Sequence, residues 1–166
     1  LGVKVNEIFE KECEENSFYI SNDADLAGIA EINLGAGKEV KGKVIVITLG
    51  TGIGSGLFYD GKLIPNLELG HIYHTNGEII EKFAADSTRK RENLSLEEWA
   101  KRLDIFLRHV KILHTPTMYI LGGGISKKYN EFKNHLTVDV PIEVAKFKNN
   151  AGIIGAAIFA SKKGEK

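Results

Sequence analysis

The strongest fold signal in this chain is the stretch Lys43-Val44-Ile45-Val46-Ile47-Thr48-Leu49-Gly50-Thr51-Gly52-Ile53-Gly54-Ser55-Gly56-Leu57-Phe58-Tyr59. A β-type run at 43–48 leads into alternating glycines, and a second apolar run follows at 57–59. Glycines behind a strand bring backbone N–H groups close to a phosphate because no Cβ intervenes, and Thr51 and Ser55 add side-chain donors. The stretch therefore predicts either a phosphate-binding loop or a flexible β-hairpin turn.

The glycine run matches neither of the common nucleotide motifs. A P-loop ends in Gly-Lys-Ser/Thr, and no lysine follows these glycines. The dinucleotide fingerprint needs a third glycine where Ser55 stands, and a helix after it. Residues 55–59 read instead as a strand. Neither a P-loop nor a Rossmann-type site is predicted.

The composition is that of a soluble globular domain. The chain has 166 residues, 43% hydrophobic and 27% charged, which is enough to bury a core. The formal net charge is zero, so no overall field favours nucleic acid or a membrane. No apolar run approaches the roughly 20 residues of a membrane span. The single cysteine, Cys13, excludes an internal disulfide and favours a reducing, cytoplasmic setting.

Helix and strand signals alternate along the chain. The predicted helices are 5–13, 24–34, a short one at 78–86, 96–114 and one that starts at 151; the predicted strands are 17–21, 43–49, 55–59, 62–64, 117–122 and 141–145. A capping-box pair, Ser95 and Glu98, precedes the longest helix. Alternation with a hairpin turn at Asp60-Gly61 predicts an α/β domain with a mixed sheet and flanking helices.

Two polar motifs are candidates for chemistry. Asn22-Asp23 stands between a predicted strand and a helix, where Asp23 would accept a proton from a substrate hydroxyl or the pair would only cap the helix. Glu68 and His71, in Glu68-Leu69-Gly70-His71, can bind the hydroxyls of a sugar or lie in a surface loop. No H-E-x-x-H motif or further cysteine completes a zinc site there.

Small and basic residues mark further candidate positions. Gly122-Gly123-Gly124 follows a predicted strand and Asn150-Ala151-Gly152 opens the last helix, where they would face a nucleotide or allow close backbone packing. Basic residues cluster at Arg89-Lys90-Arg91 and at Lys127-Lys128. Such clusters can bind phosphates, but they are more often solvated surface.

The order of these motifs resembles the ROK group of sugar kinases, and most closely its branch of polyphosphate (or ATP) glucokinases. The resemblance covers nearly the whole chain from about residue 17. It is carried by Asn22-Asp23-Ala24-Asp25, Leu49-Gly50-Thr51-Gly52-Ile53-Gly54-Ser55, Pro65-Asn66-Leu67-Glu68-Leu69-Gly70-His71, Glu97-Glu98-Trp99-Ala100-Lys101-Arg102-Leu103, Gly122-Gly123-Gly124-Ile125-Ser126-Lys127-Lys128 and Asn149-Asn150-Ala151-Gly152. It implies the ribonuclease-H-like fold of actin and hexokinase-type ATPases.

The resemblance also implies a role for each matching residue. Asp23 would be the general base for the 6-hydroxyl of glucose. The residues that would hold the sugar are Asn22, Glu68, His71 and Glu81. The residues that would cradle the transferred phosphate are Gly50, Thr51, Gly52 and Gly54, and those that would line the donor site are Gly123 and Gly124. Polyphosphate or ATP would be the donor, with Mg²⁺ on its phosphates.

Two departures from the family pattern matter. Many ROK proteins carry a His/Cys zinc site after the Glu-x-Gly-His motif, but no cysteine follows His71, so no protein-bound metal is expected. The family's amino-terminal lobe, with its Asp-x-Gly-Gly loop, is absent. Residues 1–166 are therefore expected to form a single domain, the carboxy-terminal lobe, which would be inactive alone. The chain also opens on Leu1 rather than Met, as a piece of a longer protein or a processed protein would.

The expected partners follow from the same resemblance. They are glucose or a similar hexose and a second copy of the chain in a homodimer, to which the helix at 96–114 would contribute. Nucleic acid and membranes are not expected partners. Two alternatives stay open: a non-catalytic sugar-sensing module, as in ROK repressors, and a kinase for another hexose.

Overall fold

A five-stranded mixed sheet forms the centre of the computed structural model, which describes residues 3–13 and 16–164. Its strands are β1 (Lys43–Leu49), β2 (Ile53–Tyr59), β3 (Lys62–Ile64), β4 (Met118–Gly122) and β5 (Ile142–Val144), in the order β3-β2-β1-β4-β5. Strand β2 pairs antiparallel with β1 and β3, whereas β1, β4 and β5 run parallel. The predicted α/β class with a mixed sheet is confirmed.

Helices lie on both faces of this sheet. The helices of the described residues are α1 (Val5–Glu12), α2 (Asp23–Leu34), α3 (Glu81–Ala84), α4 (Asp86–Arg91), α5 (Leu96–His114), α6 (Tyr129–Phe132) and α7 (Ala151–Gly164). Short 3-10 turns occupy Leu69–His71, Gly124–Lys128, Lys133–His135 and Lys148–Asn150. Within the described residues, no helix combines the length and the apolar character that crossing a membrane requires.

Strand β1 is buried on both faces, and this explains its unbroken apolar sequence. Ile45 and Ile47 point to a large core that contains Trp99 and Phe106 of α5. The alternate side chains of β1 point to a second core, which α2 and α7 cover. The sheet is therefore the middle layer of three, and its loops are fixed from both sides.

Helix α5 begins as its sequence predicts. The Ser95 hydroxyl accepts the Glu98 N–H at 3.2 Å, and the Glu98 carboxylate accepts the Ser95 N–H at 2.9 Å, which completes the capping box. The fully buried Trp99 donates its indole N–H to the Ala84 carbonyl at 2.9 Å. This bond holds α3 against α5, and α3 carries Glu81.

Three predictions about secondary-structure elements were wrong. Residues 17–21 form no strand, because no strand of the described sheet pairs with them. The side chains of Tyr19 and Ile20 are 42% and 60% exposed. The helix predicted at 78–86 is two short helices, which the extended backbone of Ala85 separates. Strand β2 begins at Ile53 rather than at residue 55, so the glycine-rich connection is only three residues long.

Candidate active site

An open cleft of about 400 Å³ lies where β1 and β4 end. Its lining includes Asp23, Glu68, His71, Glu81, Gly50, Thr51, Gly52, Gly54, Gly123 and Gly124. Asn22 is joined to this set because its side-chain amide donates to the Glu68 carboxylate at 2.8 Å. The structure thus brings together the residues to which the family resemblance gives a role, at the edge of the sheet where α/β proteins bind ligands.

Asn22 caps helix α2, whereas Asp23 faces the cleft. The Asn22 side chain accepts the Ala24 N–H at 2.8 Å and caps α2. Asp23 is the first residue of that helix and is exposed to the cleft. Since Asn22 supplies the cap, the Asp23 carboxylate is available to a ligand.

Residues 50–52, the glycine loop, connect β1 to β2. The Gly50 N–H donates to the Gly52 carbonyl at 3.1 Å, and the Ser87 N–H donates to the Gly50 carbonyl at 3.0 Å. The Ser87 hydroxyl also donates to the Thr51 carbonyl. Within the described part of the chain, the N–H groups of Thr51 and Gly52 have no acceptor. Two adjacent free N–H groups on an anchored loop suit an anionic ligand.

Some glycines of the cleft leave space and others allow close packing. A Cβ at Gly50 or Gly124 would meet nothing within 4 Å, so neither glycine is explained by the packing of the chain itself. A Cβ at Gly54 would lie 2.5 Å from Oγ1 of Thr48 and 3.0 Å from the Cβ of Ala24, so Gly54 lets both β1 and the start of α2 approach β2. Gly123 has a φ of +83°, and its Cβ would lie 2.1 Å from the Leu49 carbonyl oxygen. Gly50 and Gly124 therefore leave room for a ligand.

Glu81 connects the glycine loop with the Glu68–His71 segment. One of its carboxylate oxygens accepts the Ile53 N–H at 3.2 Å, and the other lies 3.9 Å from Nε2 of His71. A Cβ at Gly70 would lie 2.4 Å from the Ile53 carbonyl oxygen, so glycine is needed for this segment to approach β2. The carboxylates of Glu68 and Glu81 and the imidazole of His71 thus lie together in the lining of the cleft.

Ser55 is not a ligand donor, contrary to the sequence-based expectation. It lies in β2 and is 1% exposed. Its hydroxyl donates to the Leu67 carbonyl at 2.6 Å and accepts the Leu69 N–H at 2.9 Å. Ser55 therefore holds the loop that carries Glu68, because the pleat of β2 turns its side chain away from the cleft.

Asp25 is a buried residue of the site region whose importance the sequence does not reveal. One carboxylate oxygen accepts the Asn66 N–H at 3.1 Å, and the other has no hydrogen-bond partner among the described residues. Burial raises the pKa of Asp25, the Asn66 N–H opposes this rise, and the nearby Glu68 carboxylate adds to it. Asn66 has a left-handed φ of +62°. Asp25 therefore anchors the start of the loop that carries Glu68 and His71.

The basic cluster Arg89-Lys90-Arg91 is paired within the protein. Arg89 and Lys90 each lie 2.8 Å from the carboxylate of Asp86, which is 4% exposed. Arg91 lies 3.1 Å from Glu92. These charges are already compensated, which favours the structural interpretation over phosphate binding.

In the ranges 3–13 and 16–164, no group of three or more His, Cys, Asp or Glu side chains is placed to hold a metal ion.

Known proteins have sequences similar to this chain. The model of the ROK family matches residues 3–85. A polyphosphate glucokinase of Mycobacterium leprae is 39% identical over 161 residues, which are 97% of this chain and 49% of that protein. The chain therefore spans about half the length of that curated relative.

Solved structures share the fold. The inorganic polyphosphate/ATP-glucomannokinase of Arthrobacter sp. strain KM is 42% identical and superimposes with a TM-score of 0.91, over 98% of this chain and 64% of that one. A ROK family glucokinase of Streptomyces griseus, solved with glucose and AMPPNP, is 21% identical with a TM-score of 0.77, over 95% of this chain and 72% of that one. The expected ribonuclease-H-like fold class is confirmed.

Proposed function

Since this chain belongs to the ROK family, we propose that it is the carboxy-terminal lobe of a glucokinase. The complete protein would transfer a phosphoryl group from polyphosphate or ATP to the 6-hydroxyl of glucose. The observation that carries the proposal is the cleft, in which an exposed aspartate, a set of sugar-type hydrogen-bonding groups and a loop with two free N–H groups meet. The names of the Mycobacterium and Arthrobacter relatives support the choice of substrate and donor.

Asp23 is the proposed general base. Its carboxylate is exposed in the cleft at the start of α2. Phosphoryl transfer passes through a loose transition state, so the base mainly orients the hydroxyl and accepts its proton late. A solvent-exposed carboxylate at the start of a helix meets that requirement, because the rigid helix fixes its position.

Other polar side chains of the cleft region would bind the remaining sugar hydroxyls. Asn22 and Glu68 are already hydrogen-bonded to each other, and Glu81 lies next to His71. Carboxylates accept from hydroxyls, and imidazole and amide groups both donate and accept. A polyhydroxylated ring suits such a set better than an apolar ligand does.

The glycine loop would receive the transferred phosphoryl group. The free N–H groups of Thr51 and Gly52 would stabilise the charge that develops on its oxygens. Gly124 leaves space for the donor at the end of β4. The Mg²⁺ of the reaction would sit on the donor phosphates, whose charge it would neutralise.

Two further predictions remain proposals. Because the chain spans about half of the M. leprae protein, we propose that a second lobe in the complete enzyme covers the cleft.

The predicted homodimer would use α5, on which Ile105 and Ile112 are 46% and 77% exposed. Sedimentation of the complete protein tests the dimer, and a monomer at all concentrations would contradict it.

The proposal is tested by turnover of the full-length protein. A panel of hexoses is assayed with ATP and with polyphosphate, and glucose is expected to give the highest kcat/KM. A higher kcat/KM for another hexose would overturn the assignment of glucose, and no turnover with any pair would favour a sugar-sensing module. The 166-residue chain alone is expected to show no turnover, and measurable activity would refute the proposal that a second lobe is needed.

A further inference from the structure

A second polar cavity, the lysine cavity, lies apart from the cleft and has a volume of about 380 Å³. It is lined by Lys127, Lys146, Phe147, Lys148, Asn149 and Asn150. In the described part of the chain, no carboxylate lies within 4 Å of its three ammonium groups. The cavity therefore gathers positive charge without internal compensation, unlike Arg89 and Lys90, which share Asp86.

The sheet places this cavity beside the proposed donor site. Strands β1, β4 and β5 are parallel neighbours, so their carboxyl ends share one edge. The glycine loop follows β1, the Gly124–Lys128 turn follows β4, and the lysine loop at 146–150 follows β5. Adjacent strands are about 4.8 Å apart, so the strands β1 and β5, from which the glycine loop and the lysine loop leave the sheet, are separated by about 10 Å along that edge.

A buried carboxylate holds the backbone of the lysine loop in place. The Phe147 N–H donates to the Glu31 carboxylate at 2.9 Å, and the other oxygen of Glu31 accepts the Ala36 N–H at 2.9 Å. Glu31 is 1% exposed. Lys148 also has a left-handed φ of +51°, which is unfavourable for a residue with a side chain. The backbone of the loop is thus fixed beside the cavity, and an anion bound there would compensate the charges of Lys127, Lys146 and Lys148.

We propose that the lysine cavity binds the distal phosphates of a long inorganic polyphosphate chain whose terminal phosphoryl group lies at the glycine loop. This inference rests on the proposed function, because that function places phosphoryl transfer at the glycine loop. A polyphosphate chain carries negative charge along its whole length and can engage both places at once. The adenosine of ATP is uncharged and would leave the three ammonium groups uncompensated. The cavity would therefore favour long polyphosphate over short donors.

The test compares two triple variants of the full-length enzyme. The first variant, Lys127→Ala/Lys146→Ala/Lys148→Ala, removes the three positive charges of the cavity. The control variant, Lys41→Ala/Lys62→Ala/Lys133→Ala, removes three positive charges from exposed positions elsewhere. The ratio of kcat/KM for long-chain polyphosphate to kcat/KM for tripolyphosphate is expected to fall about tenfold in the first variant. The control is expected to keep the wild-type ratio. An unchanged ratio in the first variant, or an equal fall in both, would overturn the proposal.

Direct binding separates this inference from the proposed function. Titration of long-chain polyphosphate into the 166-residue chain requires no turnover. The first variant is expected to bind it about tenfold more weakly than the wild type, and the control as well as the wild type. Equal affinity of all three chains would overturn the inference even if the enzyme is active. Tighter binding of a DNA oligonucleotide than of polyphosphate would overturn it as well.

Discussion

Replacing Gly155 by alanine is expected to force α7 away from α2. A Cβ at this position would lie 1.7 Å from the Leu26 carbonyl oxygen and 2.5 Å from the Leu26 carbonyl carbon. These are backbone atoms, so no side-chain rotation can relieve the overlap. The two helices would have to separate by about 1.3 Å before the contact reached 3.0 Å. Leu26 lies within one turn of Asp23, so the movement would reach the cleft.

The magnitude follows from two opposing terms. Overpacking of this severity costs about 3 kcal/mol, the upper end of the usual range. Alanine in a helix is favoured over glycine by about 1 kcal/mol. The free energy of unfolding is therefore expected to fall by about 2 kcal/mol.

Urea denaturation of the chain measures this change. The Gly155→Ala variant is expected to unfold at lower urea with an unchanged m value. Gly152→Ala is the matched control in the same helix, because a Cβ there meets nothing within 4 Å. It is expected to be as stable as the wild type or slightly more so. If Gly155→Ala were as stable as Gly152→Ala, the close packing of α7 on α2 would be wrong.

Three further predictions concern the site loops and α5. Ser95→Ala is expected to lower the free energy of unfolding by about 1 kcal/mol in urea denaturation, because the capping box is lost; no change would contradict this. Ser87→Ala in the complete enzyme is expected to raise KM for the donor more than KM for glucose, because Thr51 loses its anchor; equal changes would contradict it. Burial raises the pKa of Asp25 above its ordinary 3.8, so the stability that its protonated form contributes is lost as pH rises through the folded-state pKa. Asp25→Asn is therefore expected to gain stability relative to the wild type as pH rises above about 4, and a difference independent of pH would refute this.

Local sequence signals predicted much of the fold. The capping box fixed the start of α5, because Ser95 and Glu98 interact within one turn. The apolar run of β1 and the glycines after it placed the hairpin, since strand length and turn chemistry are local properties. The order of the polar motifs then identified the residues that meet in the cleft.

Contacts between distant segments could not be predicted in the same way. The segment at 17–21 has strand-type residues but no neighbouring strand in the described sheet, and only the topology reveals this. Ser87 supports the glycine loop only because α4 packs next to it. Asp25 matters through Asn66, which is 41 residues away in the chain. Each of these roles depends on the tertiary arrangement and leaves no local signal.

The most direct test of the site is the turnover of Asp23→Asn in the complete enzyme. Asp139→Asn is the matched control, because Asp139 is exposed and pairs with Lys111 of α5, outside the residues that line the cleft. Asp23→Asn is expected to lower kcat by about 100-fold to 10,000-fold while glucose still binds, and the control is expected to keep wild-type turnover. Near-normal turnover of Asp23→Asn would contradict the assignment of Asp23 as the base.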